Sequence, residues 1–187
     1  MKKKKFNINI KVKTGLHIGV GSDKPEIGGI DNQFIKDPVT NLPYIPGSSL
    51  KGKIRCLLET ENNSFNEKAV QSAFAGDDHS PTKLIFRDAF LSNSFMQLFE
   101  MGDIATEVKT EIAIDRKTGK AKGGALRTIE RIPPDTEFSG EILIRYDSDD
   151  DLKLTESILK EGINLLNNDY LGGSGSRGYG AVVVILS

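Results

Sequence analysis

Apolar and polar residues alternate near the start of the chain, where Phe6, Ile8, Ile10 and Val12 are separated by Asn7, Asn9, Lys11 and Lys13. A period of two sends successive side chains to opposite faces, so this segment is predicted to be a strand buried on one side. Residues 15–47 follow with six glycines, four prolines and no sustained period, which reads as loops with short extended pieces. The period then becomes helical. Leu50, Ile54, Leu57 and Leu58 share one stripe behind Ser48 and Ser49, residues able to cap a helix over about 49–59. Lys51 and Arg55 lie on one flank of that stripe and Lys53 on the other.

Residues 61–82 are polar and irregular and read as a loop insertion, while residues 84–91 read as a strand broken by Arg87 and Asp88. About 107–132, the sequence alternates on both sides of Thr118-Gly119, the pattern of a β-hairpin. This ribbon is basic, with six Lys/Arg against two acids over residues 109–128. Pro133-Pro134 ends it, and Phe138, Ile142, Ile144 and Tyr146 mark another strand. The acids Asp147, Asp149, Asp150 and Asp151 suit the positive end of a helix predicted over about 154–167. A glycine-rich loop, residues 172–180, opens a last strand over 181–186. Strand, helix, strands, helix, strand is the order of an α+β, ferredoxin-like antiparallel sheet with helices on one face and long insertions. At 187 residues the whole chain, 1–187, is expected to be a single domain.

Composition excludes several classes. A chain that is 37% hydrophobic and 27% charged is neither disordered nor membrane-spanning, and its longest apolar run, residues 181–186, is far short of the roughly 20 residues a bilayer requires. The four N-terminal lysines precede no apolar stretch, so a cytoplasmic location and no membrane partner are expected. One cysteine, Cys56, makes no internal disulfide and with two histidines builds no common zinc site. The net charge of −1 conceals an asymmetry: residues 1–60 hold 11 Lys/Arg against 5 Asp/Glu, and residues 61–187 hold 14 against 21. A basic surface for a polyanion is therefore available.

Three segments carry candidate chemistry. In Gly172-Gly173-Ser174-Gly175-Ser176-Arg177-Gly178-Tyr179-Gly180, glycines let amides approach phosphate oxygens, and Arg177 adds a charge-assisted partner. The loop lacks a P-loop lysine and leads into a strand, which argues against an ATP site. In Pro46-Gly47-Ser48-Ser49-Leu50-Lys51-Gly52-Lys53, hydroxyls and amides at a helix N-terminus sit beside lysines, a composition suited to an anion. Lys51, Lys53, Arg55, Arg127, Gly175, Ser176 and Arg177, with Ser48 and Ser49, are the expected contacts to a polyanion's phosphates. Third, Asp31 follows Gly28-Gly29-Ile30. Taken alone, an aspartate there reads as a turn residue.

Together these segments resemble the RAMP proteins, specifically the Csm-type backbone subunit of type III CRISPR effector complexes. The likeness rests on Thr14-Gly15-Leu16-His17-Ile18-Gly19, Gly28-Gly29-Ile30-Asp31, Lys36-Asp37-Pro38, the block from Pro43-Tyr44-Ile45 through Lys53, Phe86-Arg87-Asp88-Ala89, and Tyr170-Leu171 with the glycine loop. The resemblance implies a modified RRM-like fold and several copies stacked as a helical filament along a CRISPR guide RNA beside other type III effector subunits. It implies that each copy cuts target RNA, using a divalent metal, Mg2+ or Mn2+, and the aspartate that matches Asp31. It also implies that the hairpin at about 107–132 is a thumb protruding over the guide–target duplex. A short insertion after the first helix leaves the subtype open.

The residues support RNA binding by shape and backbone. They supply cations, amides and glycine loops, whereas the usual RRM signature of Lys/Arg-Gly-Phe-x-Phe is absent. For cleavage, the least demanding chemistry is attack of a ribose 2′-OH on its own phosphate, in which positioning supplies most of the acceleration. Asp31 can accept the proton or hold a cation shared with RNA oxygens, and both roles stay open. His17, between Leu16 and Ile18, reads as a packing or RNA-backbone contact before a general base. Two alternatives are a metal-independent RAMP endonuclease of precursor guide RNA, with His17 as base, and a non-catalytic guide-RNA scaffold.

Overall fold

A computed structural model of the chain describes residues 1–20, 32–60, 65–75 and 81–187. In chain order the elements are β1 (Lys2–Val12), β2 (Tyr44–Ile45), α1 (Gly47–Thr60), α2 (Glu67–Phe74), β3 (Leu84–Phe86), β4 (Ala89–Leu91), α3 (Asn93–Met101), β5 (Glu107–Ile114), β6 (Ala121–Arg131), β7 (Glu137–Tyr146), α4 (Asp149–Asn167) and β8 (Val182–Leu186). The main sheet runs β2-β4-β7-β1-β8 and is antiparallel, with β3 also on β7. Strands β3 and β4 lie end to end along one side of β7: Ile85 stands opposite Leu143, and Phe90 opposite Ser139. Counted as one broken strand they give the ferredoxin-like order, with the first and third core strands at the centre. That is the fold class expected from the chain order.

Alternation decides which face is covered. On β1, Ile8, Ile10 and Val12 are buried, while Asn7 and Asn9 are exposed. Phe138, Ile142 and Ile144 of β7 and Val182 and Val184 of β8 join the buried face. Against them pack Leu50, Ile54, Leu57 and Leu58 of α1 and Ile158, Leu159, Ile163 and Leu166 of α4. Each such side chain contributes about 1.5–3 kcal/mol on leaving water. The two helices approach closely because residue 162 is glycine: a Cβ there would lie 2.4 Å from Ile54 Cγ2.

The break between β3 and β4 has a cause. Asp88 accepts the Gly47 amide at 2.7 Å, docking the start of α1 on the interruption. A Cβ on Gly47 would stand 2.5 Å from the Phe86 carbonyl oxygen, so a larger residue does not fit that contact.

Four differences from expectation concern local structure. The insertion at 61–82 contains a helix, α2, because Asn66 caps it and Val70, Ala73 and Phe74 form a short buried stripe. Helix α3, not anticipated from the sequence, ends at Gly102 in a left-handed cap. Strand β1 begins at Lys2, since Lys2–Lys5 pair with Leu143–Tyr146; Lys4 meets Glu156 at 2.6 Å and Lys5 meets Glu141 at 2.9 Å. Helix α4 starts at Asp149 behind the cap Ser148, earlier than the apolar period alone indicates. Among the described residues, no helix is long and apolar enough to cross a membrane.

The basic ribbon is a separate two-stranded sheet, β5 against β6. At its turn the Asp115 carboxylate accepts the amides of Lys117 and Thr118. Its aliphatic side chains Ile112, Ile114 and Leu126 are exposed.

Candidate nucleic-acid interface

The hairpin stands over the end of the domain where β1 runs into the loop that carries His17. Leu16 and Ile132 exchange backbone hydrogen bonds at 2.8 and 2.9 Å. The Glu130 amide donates to the Asn32 carbonyl at 2.9 Å, and the Asn32 amide donates to the Thr128 carbonyl at 3.2 Å. The imidazole of His17 bonds through Nδ1 to the Glu130 carbonyl at 2.8 Å. A carbonyl can only accept, so Nδ1 carries a proton and donates it, which leaves Nε2 as the ring nitrogen not engaged by this bond.

The glycine loop approaches from the other side. The Gly173 amide donates to the His17 carbonyl at 2.9 Å, and the Gly180 amide donates to the Gly15 carbonyl at 3.1 Å. Residues 175–177 form a single 3-10 turn that presents Ser176 and Arg177 to solvent. Between loop and hairpin lies a cleft of about 370 Å³ lined by His17, Asn32, Ser174 and Arg177 on one wall and by Glu111, Ala113, Ala125 and Arg127 on the hairpin wall.

Electrostatics of the cleft centre on Glu111. Its Oε1 accepts the Tyr179 hydroxyl at 2.6 Å, and its Oε2 lies 3.3 Å from Arg177 Nε. The Tyr179 hydroxyl bond, then the charges of Arg177 and Lys109, hold the Glu111 carboxyl below the usual carboxylate range. Tyr179 is pushed up to about 12, by burial first and by Glu111 second. Its ring is buried, with Arg131 4.4 Å and Lys109 4.5 Å from the centroid. Behind the hairpin the buried Glu130 carboxylate accepts from Lys36 and Thr106, both at 2.9 Å.

The residues expected to contact RNA fall into two groups. His17, Arg127 and Arg177 line the cleft, with Gly175 and Ser176 in the adjoining turn. Ser48, Ser49, Lys51, Lys53 and Arg55 lie on α1, and none of them lines it. Both serines sit inside the first turn of α1, whose Gly47 amide is already taken by Asp88. Lys51 reaches Thr82 at 3.3 Å, and burial followed by the charge of Arg55 lowers its pKa. Lys53 pairs with Asp169 at 2.6 Å over the Tyr170 ring, and Arg55 pairs with Glu59 at 2.7 Å. Asp31 lies outside the described residues; its chain neighbour Asn32 lines the cleft. Sequence reasoning does not single out Glu111 or Tyr179. The available signal is a carboxylate at a strand position among the cations of the ribbon and one aromatic among the loop glycines.

Among the described residues, no group of three or more His, Cys, Asp or Glu converges to hold a metal ion. Glu111, the carboxylate of the cleft, is already committed to Tyr179 and Arg177. The described residues therefore form no metal cage by themselves.

Residues 9–183 match the model of the RAMP superfamily. The chain is 43% identical over 194 residues to "CRISPR system Cms endoribonuclease Csm3" of Streptococcus thermophilus, covering 95% of this chain and 85% of that protein. It is 40% identical over 198 residues to the protein of the same description from Methanothermobacter thermautotrophicus, covering 91% and 78%. A chain in the cryo-EM structure of the Type III-B Cmr-beta complex bound to cognate target RNA superposes with a TM-score of 0.73 at 17% identity, covering 98% of this chain and 97% of that one. The protein belongs to the RAMP superfamily.

Proposed function

We propose that this chain is a backbone subunit of a type III CRISPR effector complex, binding guide RNA as one of several stacked copies and cutting complementary target RNA. The observation that carries this reading is the cleft between glycine loop and hairpin. It joins cations, loop amides and His17 in one groove whose wall continues directly into Asn32, the residue after Asp31. Support comes also from the two relatives, both called endoribonucleases. Other type III effector subunits are the expected partners, and the cytoplasm the expected location.

Phosphates of the RNA meet the Arg177 and Arg127 side chains and the Gly175 and Ser176 amides, and the cations of α1 form a second contact zone beyond the cleft. Such contacts track the backbone and are indifferent to sequence. Splaying a nucleotide into the cleft brings its 2′-oxygen into line with the adjacent phosphorus. The 2′-oxygen bonds to phosphorus, its proton passes to Asp31, and the 5′-oxygen leaves and takes a proton from water, giving a cyclic phosphate and a 5′-hydroxyl. A divalent cation shared between Asp31 and RNA oxygens would offset phosphate charge.

The test uses the assembled complex. Asp31→Ala is expected to abolish cleavage of guide-complementary RNA while assembly and target binding stay near wild type, and chelation of divalent ions should stop the wild-type reaction. Undiminished cleavage in the variant would overturn the assignment of Asp31. A second reading is favoured by one observation, the placement of His17 in the cleft with its Nδ1 taken by the Glu130 carbonyl, which leaves Nε2 as the ring nitrogen free to face RNA. If cleavage survives both Asp31→Ala and chelation but is lost in His17→Ala, the histidine is the base.

A further inference from the structure

Among the described residues, the hairpin shares no strand pairing with the main sheet. Near its root it is tied by the Leu16–Ile132 and Asn32 backbone bonds and by His17 and Lys36 on Glu130. Further along β5 the attachment is different in kind. Glu111 is four positions beyond Glu107, the first residue of the strand, and its carboxylate meets two side chains of the glycine loop, Tyr179 and Arg177. Tyr179 is well suited as an anchor. Its ring is buried, its Gly180 neighbour is bonded to Gly15, and its hydroxyl reaches Glu111 at 2.6 Å. Arg131, from the opposite strand of the hairpin, packs on the same ring and pairs with Glu107.

We propose that the Tyr179–Glu111 hydrogen bond is a latch that fixes the width of the cleft, making both side chains positioning residues for RNA cleavage. The proposal rests on the functional reading above for its consequence, but not for its geometry. One wall of the cleft is the hairpin and the other is the loop with His17, so the angle of the hairpin sets the spacing of the groups that bracket a splayed nucleotide. The latch crosses from one wall to the other. With it formed, the hairpin leans on the loop. Without it, the root contacts and the Arg177 pair with Glu111 remain, and the outer hairpin tilts more readily. The same carboxylate also neutralises Arg177, so a phosphate arriving at Arg177 displaces one arm of Glu111 while the tyrosine retains the other.

The decisive variant is Tyr179→Phe, which keeps the buried ring and its contacts with Lys109 and Arg131 and removes only the hydroxyl. In the isolated full chain, hydrogen exchange of the hairpin amides around residues 110–114 is expected to speed up about tenfold, equivalent to about 1.4 kcal/mol, while amides of β1 and β7 stay unchanged. In the assembled complex, single-turnover target cleavage is expected to slow by about 10- to 100-fold, the cost of a small misplacement, with target binding little altered. Glu111→Gln retains an acceptor for the hydroxyl and should behave closer to wild type than Glu111→Ala in both assays. A merely structural tyrosine would not show that rescue. Unchanged hairpin exchange in Tyr179→Phe, or identical losses in Glu111→Gln and Glu111→Ala, would overturn the latch. If the wild-type complex does not cut RNA, the functional reading fails, and hydrogen exchange still decides the latch.

Discussion

Replacing Gly172 with alanine tests whether the glycine loop is built around the carbonyl of His17. Gly172 has φ of +79°, and a Cβ added there would lie 2.3 Å from the His17 carbonyl oxygen. That oxygen is not free to move, because it accepts the Gly173 amide at 2.9 Å and belongs to the segment whose Leu16 is bonded on both backbone groups to Ile132. Two costs follow. The left-handed conformation costs an alanine about 1–2 kcal/mol. Separating the two backbones to relieve the clash breaks the Gly173–His17 bond, a further net loss of about 1 kcal/mol. Gly178 supplies the comparison. Its φ is +83° in the same loop, yet a Cβ added to it would meet nothing within 4 Å, so Gly178→Ala carries the conformational cost alone.

The loss in Gly172→Ala is therefore expected to exceed that in Gly178→Ala by at least about 1 kcal/mol. For a chain of this size that difference lowers the melting temperature by about a further 2–4 °C. Thermal and urea unfolding of the two variants read it directly, and two-state behaviour must hold for both. The shift also has a local signature. Moving the His17 carbonyl tilts the imidazole away from Glu130, so the His17 ring resonances should change in Gly172→Ala and not in Gly178→Ala. Equal destabilisation of the two variants, or a larger effect at Gly178, would refute the close approach on which the loop geometry depends.

Guide binding is expected to weaken with salt, by about 0.7 in the logarithmic slope for each single-strand phosphate contact; Arg127→Ala with Arg177→Ala should reduce the slope by about 1.4, and Lys53→Ala or Arg55→Ala by less, because each of those cations already holds a carboxylate. An unchanged slope in the double variant would remove the cleft from the RNA path. The folded chain should also lose stability in acid through identifiable groups. Asp37 accepts the Val39 and Thr40 amides, Asp115 accepts those of Lys117 and Thr118, and Glu111 accepts the Tyr179 hydroxyl, all three held below their ordinary pKa. A depressed folded value means that the stabilisation is complete above the unfolded pKa and disappears as pH falls through the folded one. Unfolding measured from pH 5 downward should therefore show Asp37→Asn losing less than wild type, and an identical acid profile would contradict the turn geometry.

Legibility in the sequence follows the range of the interaction. The alternation of β1 and the helical period of α1 are local patterns, and the buried residues are the ones that the patterns select. The interrupted strand is readable too, because Arg87 and Asp88 place charges where apolar residues would continue it. Helix α2 escapes such a reading because eight residues show little more than two turns of period. The elements of the cleft are remote from one another: Tyr179 meets Glu111 across 68 positions and His17 meets Glu130 across 113. No periodicity records such a pair, and Asp31 stands out only through its place in a family-like motif.

Charge counts mislead for the same reason. The excess of cations in residues 1–60 and along the ribbon reads as an open basic surface, yet many of these side chains are paired in the fold. Lys4, Lys5, Lys53 and Arg55 hold carboxylates, as do Lys109, Arg131 and Arg177 around the hairpin root. Arg127 lines the cleft and has no ion pair among the described residues. A phosphate meeting Arg177 replaces a carboxylate, so its gain is the difference between two charge-assisted contacts; a phosphate meeting Arg127 gains the whole of one. Within the cleft, Arg127 should therefore contribute more to RNA affinity than Arg177, although the glycine-rich motif makes Arg177 the more conspicuous residue in the sequence.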